Sequence, residues 1–174
     1  MPAASGLGWG VDSTEPPPEG ARLVILAPGA PAPDFGLSNQ FGQPVQLRDF
    51  RGHTVVVVFF PLAYSGICHG ELGELRDNIA LFEAAGAELL AVSVDSKHTL
   101  RSWAELEGFE FPLLSDFWPH GAVADSFGAF DERTGLAQRA TFVIDADGVV
   151  ASSFATPRGE ARSLDQYRTA LSAL

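Results

Sequence analysis

The chain carries a single cysteine among its 174 residues, Cys68, and its setting gives it chemistry. It follows the apolar run Val55-Val-Val-Val-Phe-Phe60, then Pro61, and it opens the segment Gly66-Ile-Cys68-His-Gly-Glu71, after which leucines recur at helical spacing. That order reads as a buried strand, a proline-led loop and a thiol in the first turn of a helix. Unpaired backbone N–H groups and the positive end of the helix dipole meet there, and both favour thiolate over thiol. The position makes Cys68 a nucleophile candidate, whereas a lone cysteine elsewhere is usually a small buried hydrophobe. His69 stands beside it as a possible base, yet neighbouring residues on a helix diverge by about 100°, which aims His69 elsewhere.

Other chemistries find less support. One cysteine excludes an intramolecular disulfide and a Cys-x-x-Cys dithiol pair. His53, His69, His98 and His120 have no structural-zinc spacing, so neither a metal nor a cofactor is expected. Asp145-x-Asp147-Gly148 resembles the start of a calcium loop, but no glutamate follows at the required distance, and it reads as a turn. Net charge is −11 and the eleven cations are scattered, so the basic stripe of a nucleic-acid binder is missing. No apolar run approaches the roughly 18 residues of a membrane span, and a soluble protein of the cytoplasm is the expectation.

The elements that must hold Cys68 can be read along the chain. Residues 1–21, with their Gly6/Gly8/Gly10 cluster and Glu15-Pro-Pro-Pro18, read as a disordered or loosely attached extension, and residues 22–174 as one domain. Phe35–Ser38 and Gln43–Leu47 form a hairpin about Asn39 and Gly42, and Thr54–Phe60 is a central strand. The periodicity predicts one helix over 66–85 and another over 96–108 capped by Ser96, with Leu100, Trp103, Ala104 and Leu106 inward. Strands at 89–94, 111–114, 141–144 and 149–154, a short helix at 121–127 and a terminal helix at 164–174 complete the pattern. Trp103 and Trp118 read as core or pocket wall. Alternating strands and helices imply an α/β fold with a central mixed sheet.

At these residues the chain resembles the peroxiredoxins. Pro61-x-x-x-Ser65-x-x-Cys68 matches their signature of Pro, Thr or Ser, and Cys, and Phe59 to Glu71 is similar to the one-cysteine AhpE-like branch of actinobacteria. The similarity continues through Phe111-Pro-Leu-Leu-Ser-Asp-Phe-Trp-Pro-His-Gly121 and Arg139-x-Thr141-Phe-Val143, and covers about residues 27–174. It implies a thioredoxin-like fold and reduction of hydrogen peroxide or organic hydroperoxides through a Cys68 sulfenic acid.

The resemblance also assigns roles. Pro61 walls the pocket and removes a backbone donor; it could equally be a simple strand stop. Ser65 donates to the thiolate or accepts from the peroxide, and as serine where threonine is commoner it has a freer rotamer; alternatively it caps the helix. Arg139 stabilises thiolate and transition state, and Glu71 orients that arginine, where otherwise both would be solvated surface charges. With no second cysteine, the sulfenic acid must be resolved by an external thiol. The resemblance implies mycothiol with a mycoredoxin, or a thioredoxin-type reductant, and a homodimer. The competing reading is a redox-sensing interaction module in which oxidation of Cys68 alters partner binding.

Overall fold

The computed structural model describes residues 24–174; the extension expected over 1–21 lies outside the described residues. The chain between them builds a seven-stranded mixed sheet around β3 (Thr54–Phe59). β3 runs parallel to β4 (Ala87–Ser93), which is parallel to β5 (Leu113–Ser115), and antiparallel to β8 (Arg139–Ile144), which pairs with β9 (Val150–Thr156). The hairpin of β1 (Gly36–Asn39) and β2 (Pro44–Gln46) adds to β5, giving the order β2-β1-β5-β4-β3-β8-β9.

The uninterrupted apolar run of β3 is explained by two covered faces. Side chains alternate across a strand, so Val56, Val58 and Phe60 enter one core while Val55, Val57 and Phe59 enter the other. The first core is roofed by α1 (Gly66–Asp77), α2 (Ile79–Ala84), α3 (Lys97–Glu107) and α5 (Leu164–Leu171). The second lies under α4 (Ala122–Ser126) and the segments around Phe35 and Leu47. Each fully buried valine or phenylalanine contributes about 1.5–3 kcal/mol of transfer free energy, so β3 is the rigid base from which the Pro61 loop departs.

Four expectations require correction. The single helix over 66–85 is two, broken at Asn78 (φ −120°, ψ 27°), whose side-chain amide donates to the Glu74 carbonyl at 2.8 Å; asparagine competes with the helix for its own backbone groups. Leu106 faces solvent on α3, 69% exposed. Trp103 is core, but Trp118 is not: it is 81% exposed and instead lines a surface pocket of about 360 Å³ with Lys97 and Phe117. A two-strand hairpin, β6 (Phe130–Asp131) with β7 (Leu136–Ala137), falls where no strand is expected. Its strands are two residues long, too short for periodicity to register. The Ser96 cap stands: Ser96 accepts from the Thr99 N–H and Gly108 ends α3 in the left-handed region. On α5, Ser163 with Gln166 adds a capping box.

Candidate functional site

The site forms where β3 gives way to α1. Pro61 is buried and cannot extend the ladder. The loop after it turns through Tyr64, whose φ of 63° puts a non-glycine residue in the left-handed region, and Ser65 in extended conformation then opens α1. Cys68 is the third residue of that helix and fully buried. Ser65 occupies the N-cap position of α1, its carbonyl accepting the His69 N–H at 2.8 Å, but its side chain makes no capping bond. Its Oγ is buried and has no hydrogen-bond partner among the described residues.

Arg139, 71 positions beyond the cysteine, arrives from the first residue of β8, because β8 pairs with β3 and starts level with its end. Its Nη1 donates to Cys68 Sγ at 3.2 Å and to Glu71 Oε2 at 2.6 Å, while Nε donates to the Arg158 carbonyl at 3.0 Å. Three fixed donor directions hold the planar guanidinium against the sulfur. Arg139 also lines a pocket of about 270 Å³, with Pro61, Leu62, Ser65, Ile67 and Arg158 among its other walls. The structure thus brings Pro61, Ser65, Cys68, Glu71 and Arg139 to one place. His69 is directed away, its Nδ1 3.2 Å from the Glu107 carboxylate.

Glu71 is where the site differs from a simple orienting pair. Its carboxylate also faces Arg162, which donates from its backbone N–H (2.7 Å) and Nε (3.0 Å) to Oε1 and from Nη2 (3.2 Å) to Oε2. Arg162 Nη1 donates in turn to the carbonyls of Phe59 and Ala140 and to Thr141 Oγ1. All three charged residues are buried. Burial alone would raise the Glu71 carboxyl, but the charge and hydrogen bonds of Arg162, with the charge of Arg139, hold it below its ordinary value. Arg162 has no signal in the sequence: in Pro157-Arg-Gly-Glu-Ala-Arg162 it reads as a solvated loop cation. Only its place immediately before the Ser163 cap hints at a fixed backbone.

The AhpC/TSA family model matches residues 28–153. The chain belongs to this family. It is 48% identical over 151 residues to alkyl hydroperoxide reductase E of Mycobacterium tuberculosis, covering 86% of this chain and 99% of that one. Among solved structures, peroxidoxin BcpB of Mycobacterium tuberculosis is similar at a TM-score of 0.74 and 31% identity, covering 85% of this chain and 96% of that one. Enterococcus faecalis AhpC gives a TM-score of 0.78 at 28% identity, with 84% and 91% covered. The peroxiredoxin resemblance and the thioredoxin-like α/β fold read from the sequence therefore stand.

Within this peroxiredoxin architecture, the bond from Arg139 to the sulfur gives a measurable expectation. Arg139→Ala should slow oxidation of Cys68 by peroxide about a hundredfold or more, the scale of losing one preorganised donor, even at a pH where the thiol is fully ionised. Stopped-flow rates across pH, divided by the thiolate fraction from ultraviolet absorbance, check this. An unchanged rate per thiolate would confine Arg139 to ionisation.

Proposed function

We propose that the chain is a thiol-dependent peroxidase in which Cys68 is the peroxidatic residue. The observation that carries the reading is the Arg139 guanidinium, which bonds Cys68 Sγ and lines the same pocket as Ser65, whose hydroxyl has no hydrogen-bond partner among the described residues. Charge balance supports it further. Two guanidinium groups against one carboxylate leave one surplus positive charge, and a thiolate brings the cluster to zero.

In the reaction, the sulfur lone pair attacks the nearer peroxide oxygen, the S–O bond forms as the O–O bond breaks, and the departing oxygen takes a proton to leave as water or alcohol. Arg139 can donate to the sulfur and to the oxygen that gathers charge. Ser65, with no competing partner among the described residues, is free to accept from the peroxide O–H or donate to the thiolate. Pro61 contributes pocket wall without a donor that would hold water. Glu71 fixes Arg139.

Cys68 is the only cysteine, so the resulting sulfenic acid condenses with an external thiol, releasing water and leaving a mixed disulfide that a redoxin reduces. Mycothiol or a similar small thiol, with a mycoredoxin- or thioredoxin-type protein, fits this need, in a reducing cytoplasm. A homodimer belongs to the same reading and is supported by the large exposed apolar side chains of Phe41, Phe117 and Trp118. The redox-sensing alternative is not favoured, since the similar proteins are named as reductases and peroxiredoxins.

The test is stoichiometric. One equivalent of hydrogen peroxide, of a fatty-acid hydroperoxide or of peroxynitrite should yield about one sulfenic acid per chain, after which turnover stops. A small thiol should then add to the protein by intact mass, and a redoxin should restart turnover. Excess peroxide without thiol should drive the mass to sulfinic acid. A Cys68-to-Cys68 linked dimer as main product would overturn the external-thiol scheme.

A further inference from the structure

The Ser65 hydroxyl has no hydrogen-bond partner among the described residues, so its place in the pocket is set by the backbone of the loop that carries it. That loop includes Tyr64 at φ 63°, a conformation that residues with a Cβ leave unless something holds them. The ties that hold it are few. Tyr64 Oη donates to Ser102 Oγ at 2.8 Å and its ring lies 5.9 Å from that of Trp103, but the side chain is 49% exposed. The Ser65 N–H reaches the Leu62 carbonyl only at 3.4 Å. A side chain outside the loop holds its backbone at the centre: Asp95 Oδ2 accepts the Ala63 N–H at 2.8 Å, as short as the bond by which the His69 N–H holds the Ser65 carbonyl from α1.

Asp95 is itself fixed on three sides. It follows the end of β4, its Oδ2 also accepts from Ser93 Oγ at 2.7 Å, its N–H donates to Ser93 Oγ at 3.3 Å, and its carbonyl accepts from Ser115 Oγ on β5 at 2.6 Å. Asp95 is thus anchored to β4 through its carboxylate and N–H and to β5 through its backbone carbonyl, and it presents Oδ2 to the middle of the loop between Pro61 and Ser65. A charge-assisted bond from a rigid support is the kind that sets geometry.

We propose that Asp95 is a positioning residue of the peroxide pocket, which through the Ala63 N–H holds the 61–65 loop so that the Ser65 hydroxyl faces the reacting oxygen. The proposal rests on the peroxidase reading above. Asp95 touches neither sulfur nor substrate, and its effect passes through Ser65.

The test uses the full chain as wild type, Asp95→Ala, Asp95→Asn, Ser65→Ala and the Ser65→Ala/Asp95→Ala double variant. Stopped flow gives the rate constant with hydrogen peroxide, and iodoacetamide gives the reactivity of the same sulfur without need of the peroxide geometry. Asp95→Ala should slow the peroxide reaction about tenfold to a hundredfold, the scale of a misplaced reacting group, while alkylation changes by less than about threefold. Asp95→Asn should recover most of the loss, because the amide oxygen still accepts from Ala63. In the Ser65→Ala background, Asp95→Ala should add little. Full additivity in the double variant, an Asn variant as slow as the Ala variant, or alkylation slowed in parallel would each overturn the proposal. A wild type that consumes peroxide normally beside an equally fast Asp95→Ala would overturn it alone; a wild type inert to peroxide would overturn the peroxidase reading and this proposal together.

Discussion

Cys68→Ser is expected to consume no peroxide at a measurable rate while keeping a melting temperature within a few degrees of wild type. Serine preserves the shape of the side chain but does not form an anion at working pH, so the nucleophile is lost outright. The fold should survive, because the sulfur is one small member of a core that includes Val56, Val58, Phe60, Leu72, Leu75 and Trp103. The new hydroxyl also keeps an acceptor where Arg139 Nη1 donates. An exchange of this size is worth about 1 kcal/mol, or roughly 2–4 °C for a domain of this length. Peroxide loss and thermal melting should be measured on the same samples. Retained activity would remove Cys68 from the chemistry, and collapse of both signals would make it a structural residue.

The half of the site that contains the nucleophile was legible because it is local. Pro61, Ser65, Cys68 and Glu71 lie within eleven positions, and strand, breaker and helix period fix their order in space. Arg139 is different in kind. Nothing in its neighbourhood pairs it with Cys68, and only resemblance to a family supplied the link that the β3 and β8 register then realised. Arg162 escaped altogether, since its partners Glu71 and Phe59 lie 91 and 103 positions away and a loop arginine ordinarily meets water. Asp95 escaped for a related reason: what it holds is a backbone N–H, and backbone groups carry no sequence label. Element boundaries depart from the sequence pattern where a single residue overrides periodicity, as Asn78 does in splitting α1 from α2, or where an element is too short, as in β6 and β7.

The largest stability effect is expected at Glu71. Glu71→Ala leaves Arg139 and Arg162 buried beside each other without the carboxylate that bonds both, and removing one partner from a buried ionic cluster costs about 3–5 kcal/mol, or roughly 10–15 °C in melting temperature. Peroxide reactivity should fall with it, because Arg139 loses the 2.6 Å bond that fixes its Nη1 against the sulfur. Glu71→Gln should be milder, keeping an acceptor oxygen without the charge, and it isolates the ionic part. The folded Glu71 carboxyl is held below its ordinary value of 4.5 by Arg162 and Arg139 despite burial. Its contribution is therefore fully present above about pH 4.5 and is lost as pH falls through the lower, folded value. Wild type and Glu71→Gln should accordingly differ most in stability near neutral pH and converge in acid, as followed by denaturant unfolding from pH 7 downwards. A stability gap that stays constant with pH would mean that shape and hydrogen bonding, not the charge of Glu71, hold the two arginines in place.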